Sequence, residues 1–504
     1  MAELIGEATA IVKADPRILD AINSDLDRHA LRLKALRQAD AQYHAQQLPG
    51  LPQADTWQCE SNAPIALAKS GRKRIPALII LVAIFIRGRY ESLTDAMMRD
   101  RLIDSSAFYA LLQEYDLEHV CPTALARHIN NLSDSTVDRI WNTQIQGYEA
   151  EKLDDFKIFM ADSTSVRANS EWPKDSRMIL KLLDRTIGIF DQFEGQGWCK
   201  IRWYSMRKWQ QQIADLAKQI DFSCGKSNGA KKRRRLYRKL VPLASKLATR
   251  LGDEWDRVRE QVERRGLSPS QHRLRSQAID ELETVMIDAV VLIPYVHVRT
   301  QVNSHEPRED HEQILSMNDR EARVILKGGR EPNFGYKPQL AASRQGFITA
   351  AIVADGNISD ARSLIPLLHQ SIQRTGIKPR MGTVDDGYSG ADNWRIATGA
   401  KAFGLETMSM SGAKGRKVIG EALWNSPAYR EARRLRGLME SPIFVLKHVN
   451  GMARMRRTGV SAVRREITEK ILAYNAVRAV QLRKRATQRA GVDETDSPAL
   501  RVCG

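Results

Sequence analysis

Three carboxylates in this chain stand where they could do chemistry together. In "FKIFMADSTSV" an apolar run through Phe156, Ile158 and Met160 leads to Asp162. In "GTVDDGY" a second run leads to Asp385, with Asp386 beside it. Further on, in "RLRGLMESPIFVLK", Glu440 lies four residues after Arg436 and seven before Lys447. A helix turns about 100° per residue, so an unbroken one would point all three side chains within a narrow arc. An Arg–Glu pair on a solvated helix face explains that spacing at roughly 0.2–0.5 kcal/mol, and an Asp at a strand end is commonly a turn or cap residue. The chemical alternative is that the carboxylates converge. Ligands gather at the carboxyl ends of strands in open α/β sheets. Three such side chains make an all-oxygen cage suited to Mg²⁺ or Mn²⁺. Two ions held there activate a water or a 3′ hydroxyl in phosphodiester cleavage. Arg436 and Lys447 would then ground the substrate's phosphates.

The elements that must position these residues follow from the pattern of the chain. The strand ending at Asp162 precedes a long helical region from about Asp175 to Asp288. Strand-like segments resume with "VVLIPYVHV", "RVILKGG", "YKPQLAAS" and "GFITAAIVADG". A helix is predicted over Asp360 to Arg374 with Ser359 as its cap, then the strand that ends at Asp385. A further helix and strand lead to the helical part that holds Glu440. Pro442 cannot sit quietly inside a helix, so Ser441 is expected to cap a new helix with Pro442 in its first turn. This is an α/β core over residues 151–455 with a large helical insert, about 175–290, after its first strand. Before the core, 1–45 read as a helical segment, 46–74 as a Pro- and Gly-punctuated linker, and 75–150 as short capped helices. Those short helices suit a helix-turn-helix DNA reader or a small bundle equally. A C-terminal helix is expected over 456–490, with a loose tail over 491–504.

Composition narrows the partner. Of 504 residues, 42% are hydrophobic, enough for a buried core. Lys and Arg outnumber Asp and Glu by 78 to 60, a formal charge of +18 that favours a polyanion. A membrane is the weaker choice, because the apolar run Ala77 to Ile86 falls far short of the ~20 residues a spanning helix needs. The N-terminus shows no basic region ahead of an apolar core, so no secretory signal is expected. Cys59, Cys121, Cys199, Cys224 and Cys503 are scattered without a CxxC pair, which suits a reducing cytoplasm and argues against zinc or a disulfide framework. His305 and His311 read as ordinary loop or strand-end histidines. Between Phe222 and Gly252 no acidic residue occurs, and Lys231, Lys232, Arg233, Arg234, Arg235, Arg238 and Lys239 crowd together. Most charge runs are solvated faces. One this dense with no nearby acid favours contact with a nucleic-acid backbone.

The ordered combination of motifs resembles the DDE transposases of bacterial insertion sequences. "DDGY" and the Arg436, Glu440, Lys447 spacing are similar to that family's second and third acidic blocks. "MADSTSV" followed by "SEWPKDSRMI" resembles its first block. "VILKGGREPNFGYKPQLA" is similar to a segment between them, and "LTDAMMRDRLIDSSAFYALL" to the N-terminal helical region. The resemblance runs from about residue 75 to 485. It implies a ribonuclease-H-like core in which Asp162, Asp385 and Glu440 bind two divalent ions for cleavage and joining of DNA. It also implies double-stranded DNA with terminal inverted repeats as partner, a dimer on that DNA, and a bacterial cytoplasmic, nucleoid-associated setting. The family's signature often has a Tyr three residues before the Arg; Arg433 stands there and would grip a phosphate instead. Two further readings remain at this point: a metal-dependent nuclease without strand transfer, and a catalytically silent transposase-derived DNA-binding protein.

Overall fold

The computed structural model describes residues 1–46, 74–90, 102, 104–171, 174–224, 228–264, 266–302, 316, 318–326, 332–354 and 358–495. The chain divides into two compact units. One comprises Met1–His29, Lys69–Asn169 and Glu321–Gly504, and the other comprises Ala30–Ala68 and Ser170–Arg320. His305 and His311 lie outside the described residues.

The first unit is built on a five-stranded mixed sheet. Its strands are β1 (Ile158–Ser163), β5 (Gln339–Ala342), β6 (Ile348–Ile352), β7 (Met381–Val384) and β8 (Thr407–Met410), in the order β6-β5-β1-β7-β8. β5 runs antiparallel to both β1 and β6, whereas β7 and β8 run parallel to β1. Parallel strands need a crossover and bury both faces, and the four residues of β8 are all buried. The helix Asp360–Thr375 supplies Leu364, Leu367 and Leu368 to a core shared with Phe159, Ala341, Val384 and Met408. Ser359 is its N-cap residue, yet the Ser359 side chain makes no cap hydrogen bond. Three further strands, β2 (Val166–Arg167), β3 (Arg323–Ile325) and β4 (Asn333–Tyr336), form a second sheet in the order β2-β4-β3.

Helices from both ends of the sequence complete this unit. The run Ala77–Arg89 is a helix buried on nearly every side, which is what an all-round apolar helix requires. It packs against the long helix Val460–Thr495, which extends past the expected start of the tail. At Gly88 an added Cβ would overlap the Glu469 carbonyl oxygen, so only glycine permits this approach. Alongside, the Arg87 guanidinium meets the buried Glu469 carboxylate at 2.6 Å, and Arg457 reaches it at 3.0 Å. Burial pushes the Glu469 carboxyl up, but Arg87 and Arg457 outweigh it and hold the group below the ordinary range. Among the described residues no helix is long and apolar enough to cross a membrane.

Helices Pro122–Asn130 and Asp134–Ala150 are joined by a tight turn. Ser133 Oγ accepts from the Thr136 N–H, and buried Asp25 accepts from the Ser133 N–H at 2.8 Å and from Thr136 Oγ1 at 2.6 Å. The second helix lies against the sheet through Trp141, Ile145 and Tyr148, with Trp141 Nε1 donating to the Ile348 carbonyl. Its exposed positions include Asp134, Asp138 and Glu149. Asp134 is paired with Arg465, and Asp138 with Arg374 at 3.2 Å.

The second unit is helical. Helices Asp175–Gly195, Met206–Phe222, Gly229–Arg264 and Pro269–His297 enclose a core that includes Phe190, Phe193, Trp198 and Trp255. The segment "VVLIPYVHV", expected as a strand, is the end of the last of these helices. Ser268 forms a capping box with Gln271, and Pro269 opens the helix. Val285, Ala289, Leu292, Ile293 and Val296 then recur at helical spacing on its buried side. A short β-branched run has no periodicity of its own to tell strand from buried helix.

A matched pair of glycine substitutions tests the packing of the first unit. Gly88→Ala is expected to destabilise the chain by about 2 kcal/mol or more, because overpacking moves backbone. Gly147→Ala meets nothing within 4 Å and should be neutral or stabilising by up to ~1 kcal/mol. Denaturant titration of both variants would check this; equal midpoints would refute the close helix contact.

Candidate active site

The parallel pairing of β1 with β7 sets the site. The register runs from Ile158 opposite Met381 to Ala161 opposite Val384. Asp162 and Asp385 are therefore the next residues of neighbouring strands. Asp162 is half-buried, and its Oδ1 accepts from the Ser163 N–H at 2.6 Å. Asp385 has left the ladder in an extended conformation, and its side chain is 50% exposed.

The doublet is sorted by hydrogen bonding. Asp386 Oδ1 accepts from the Gly415 N–H at 2.8 Å and from Ser389 Oγ at 3.0 Å, and its Oδ2 lies 3.4 Å from the Lys414 amide. Asp386 thus ties down the start of the helix Ala413–Ile419. Asp385 instead faces the Arg436 guanidinium, 4.0 Å away.

Arg436 also stands 3.8 Å from Glu440, so one guanidinium lies between the second and third carboxylates. Glu440 is 70% exposed. The helix around them is not unbroken. Residues Pro427–Leu435 are α-helical, Arg436–Met439 tighten to a 3₁₀ turn, and Glu440–His448 resume the α-helix. Ser441 is not the cap, because Met439 is already in the helical region and the turn runs straight into Glu440. Pro442 falls in the first turn, where its missing N–H costs little. Lys447 is half-buried near the end of that helix. Arg433 stacks over the Trp424 ring at 4.0 Å, and its buried Nη1 finds no hydrogen-bond acceptor among the described residues. Burial and the nearby Arg430 lower its pKa.

A network that sequence reasoning left without a role lies behind the aspartates. Lys337 Nζ meets Asp360 Oδ1 at 2.7 Å, and Gln339 Nε2 donates to the same oxygen at 2.6 Å. The Tyr388 hydroxyl donates to Gln339 Oε1. Burial first, then the carboxylates of Asp360, Asp162 and Asp385, push the Tyr388 phenol far above its ordinary range. Gly387 admits this packing, since an added Cβ would stand 2.7 Å from Asp360 Oδ2. The signal was present in "FGYK" and "DDGY", whose Lys337 and Tyr388 read as motif letters rather than as partners.

Asp162, Asp385 and Glu440 are an oxygen donor set of the kind hard divalent ions take. Among the described residues, however, no group of three His, Cys, Asp or Glu side chains is arranged to hold a metal ion. Arg436 occupies the space between two members of the set.

The basic cluster belongs to the second unit, at the start of the helix Gly229–Arg264. Lys231, Lys232, Arg234, Arg235, Arg238 and Lys239 are exposed, whereas Arg233 is half-buried and donates to the Ser223 carbonyl at 3.2 Å. Leu236, Leu240 and Ala244 form the buried side of the same helix.

An α/β unit with aspartates on adjoining strand ends and a glutamate on a following helix is a class of fold and site suited to phosphodiester chemistry. Residues 319–476 match the family model described as "Transposase DDE domain". Over that span, about a third of the chain, the sequence is similar to a transposase DDE domain. The matched span includes Asp385 and Glu440 and begins after Asp162. No curated protein and no solved structure matches the chain.

The two neighbouring aspartates should separate in a stability measurement. Asp386→Ala removes the acceptor for the Gly415 and Lys414 amides and is expected to cost about 1–2 kcal/mol, the scale of a lost helix cap. Asp385→Ala removes an exposed charge whose ion pair is worth no more than about 1 kcal/mol. Urea midpoints that fall equally for both would overturn the division of labour.

Proposed function

We propose that this chain is the transposase of a bacterial insertion sequence, cutting DNA at the element's ends and joining it to a target. The carrying observation is the register that ends with Ala161 opposite Val384, after which Asp162 and Asp385 follow, with Arg436 between Asp385 and Glu440 and residues 319–476 similar to a transposase DDE domain. Asp162, Asp385 and Glu440 would hold Mg²⁺ or Mn²⁺, in the two-ion arrangement the family resemblance implies. When bound, such ions activate a water, then the freed 3′ hydroxyl, and stabilise the leaving oxygen. Arg436 balances the carboxylates' charge and offers its planar fork to a phosphate oxygen. Lys447 and Arg433 add cations along the same helical stretch. Lys231, Lys232, Arg233, Arg234, Arg235, Arg238 and Lys239 grip the duplex backbone without reading its sequence. The partner in this reading is double-stranded DNA with inverted repeats, held by a dimer, in the bacterial cytoplasm.

The decisive variant is Glu440→Gln, which keeps the side chain's size and removes the charge. Cleavage of a duplex carrying the element's end, in Mg²⁺, should fall by at least about 100-fold, beyond the usual loss for a group that merely supports a metal ligand. Binding of the same duplex should persist, since a negative charge near phosphate has been removed. An unchanged cleavage rate would sink the catalytic assignment. Cutting without joining in the unsubstituted chain would make it a nuclease.

Charge reversal at Lys231, Lys232, Arg234 and Arg235 tests the cluster separately. The plot of log affinity against log salt should become shallower by about 0.9 for each phosphate that the variant no longer neutralises. An unaltered slope would return the cluster to a solvated helix face.

A further inference from the structure

From Ser441 to Arg465 the chain contains no Asp or Glu, but it holds Lys447, Arg454, Arg456, Arg457, Arg464 and Arg465. The middle of this stretch is a connection between helices whose backbone is tied to β2, Asn169 and Glu466. The Arg167 N–H donates to the Ala453 carbonyl at 2.9 Å, and the Met455 N–H donates to the Arg167 carbonyl at 2.8 Å. Arg454 thereby pairs with Arg167 of β2 as a parallel bridge. Asn169 Nδ2 donates to the Arg456 carbonyl at 2.7 Å. The buried Glu466 carboxylate accepts from the Arg456 and Arg457 N–H groups at 2.9 and 3.0 Å.

The side chains alternate as on a strand. Met455 is buried, and Arg457 turns inward to Glu469 and Asn130. Arg454 and Arg456 therefore share the outward side, and both are exposed, as is Arg167. Two residues of extended chain span roughly 6.6–6.8 Å, a separation that lets two guanidiniums address successive phosphates of one strand. The loop also joins the site's own elements. β2 begins four residues after Asp162, and the Ala453 N–H donates to the Lys447 carbonyl at the end of the Glu440 helix.

We propose that Arg167, Arg454 and Arg456 form a pre-ordered arginine rim that grips the backbone of duplex DNA beside the carboxylates. A solvated set of charges would need no such anchoring. Holding the backbone in advance removes ordering cost from each phosphate engaged, and guanidinium forks suit phosphate oxygens better than ammonium groups do. The inference rests on the transposase reading for its choice of polyanion, and it adds a DNA-facing surface apart from the Lys231–Lys239 cluster.

The test uses the full chain carrying Glu440→Gln, in metal-free buffer, with a random-sequence DNA duplex as probe. Binding is then read without any cleavage. The double variant Arg454→Ala/Arg456→Ala should make the log affinity against log salt slope shallower by about 1.8, two phosphates at about 0.9 each. Arg454→Lys/Arg456→Lys keeps the charges and should restore the slope, which excludes misfolding as the cause. An alanine variant with the parent slope would overturn the rim, as would a loss confined to an RNA duplex. Full binding through the rim by an unsubstituted chain that never cuts DNA would leave the rim standing and sink only the transposase reading.

Discussion

The site depends on one backbone ladder, the parallel pairing of β1 with β7. A parallel pair cannot be closed by a tight turn, so the two strands arrive from distant parts of the chain. Their register then decides which side chains are neighbours. A slip of one residue would turn every side chain of β1 to the opposite face, separating Asp162 from Asp385. In the observed register Phe159 and Ala161 of β1 share one core with Val384 of β7.

Around that ladder the carboxylates fall into two groups. Asp25, Asp386, Glu466 and Glu469 are spent on backbone amides or buried guanidiniums, where each holds a turn, a helix start or a loop in place. Asp385 and Glu440 remain half or more exposed, sharing one guanidinium at distances too long for a hydrogen bond.

The cations show the same economy in reverse. Half-buried Arg87 meets Glu469 and buried Arg374 lies over the Trp141 ring, and the two knit helices from distant parts of the sequence. Two sets of exposed ones lie in acid-free stretches, on the helix that starts at Gly229 in the second unit and on the loop after Lys447 in the first. Their separation along the chain conceals that both are held on ordered backbone.

Much of this was legible in the sequence, because the signals were local. Apolar runs ending in aspartate marked β1 and β7, the i,i+4 spacing marked the Arg436–Glu440 pair, and the ordered motifs led to the DDE family. The core helix Ala77–Arg89 was visible as an apolar run too short for a membrane. Other features were decided by tertiary packing. "VVLIPYVHV" became helical because the core it meets is made of helices, against which only a 3.6-residue repeat buries Ala289, Ile293 and Val296 together. The division between Asp385 and Asp386 turned on amides contributed by Lys414 and Gly415, far along the chain. Likewise, the pairing of Lys337 with Asp360 and the anchoring of Arg454 to β2 join residues that no spacing rule connects. Periodicity reports which face of an element is covered; it carries no information about which distant element does the covering.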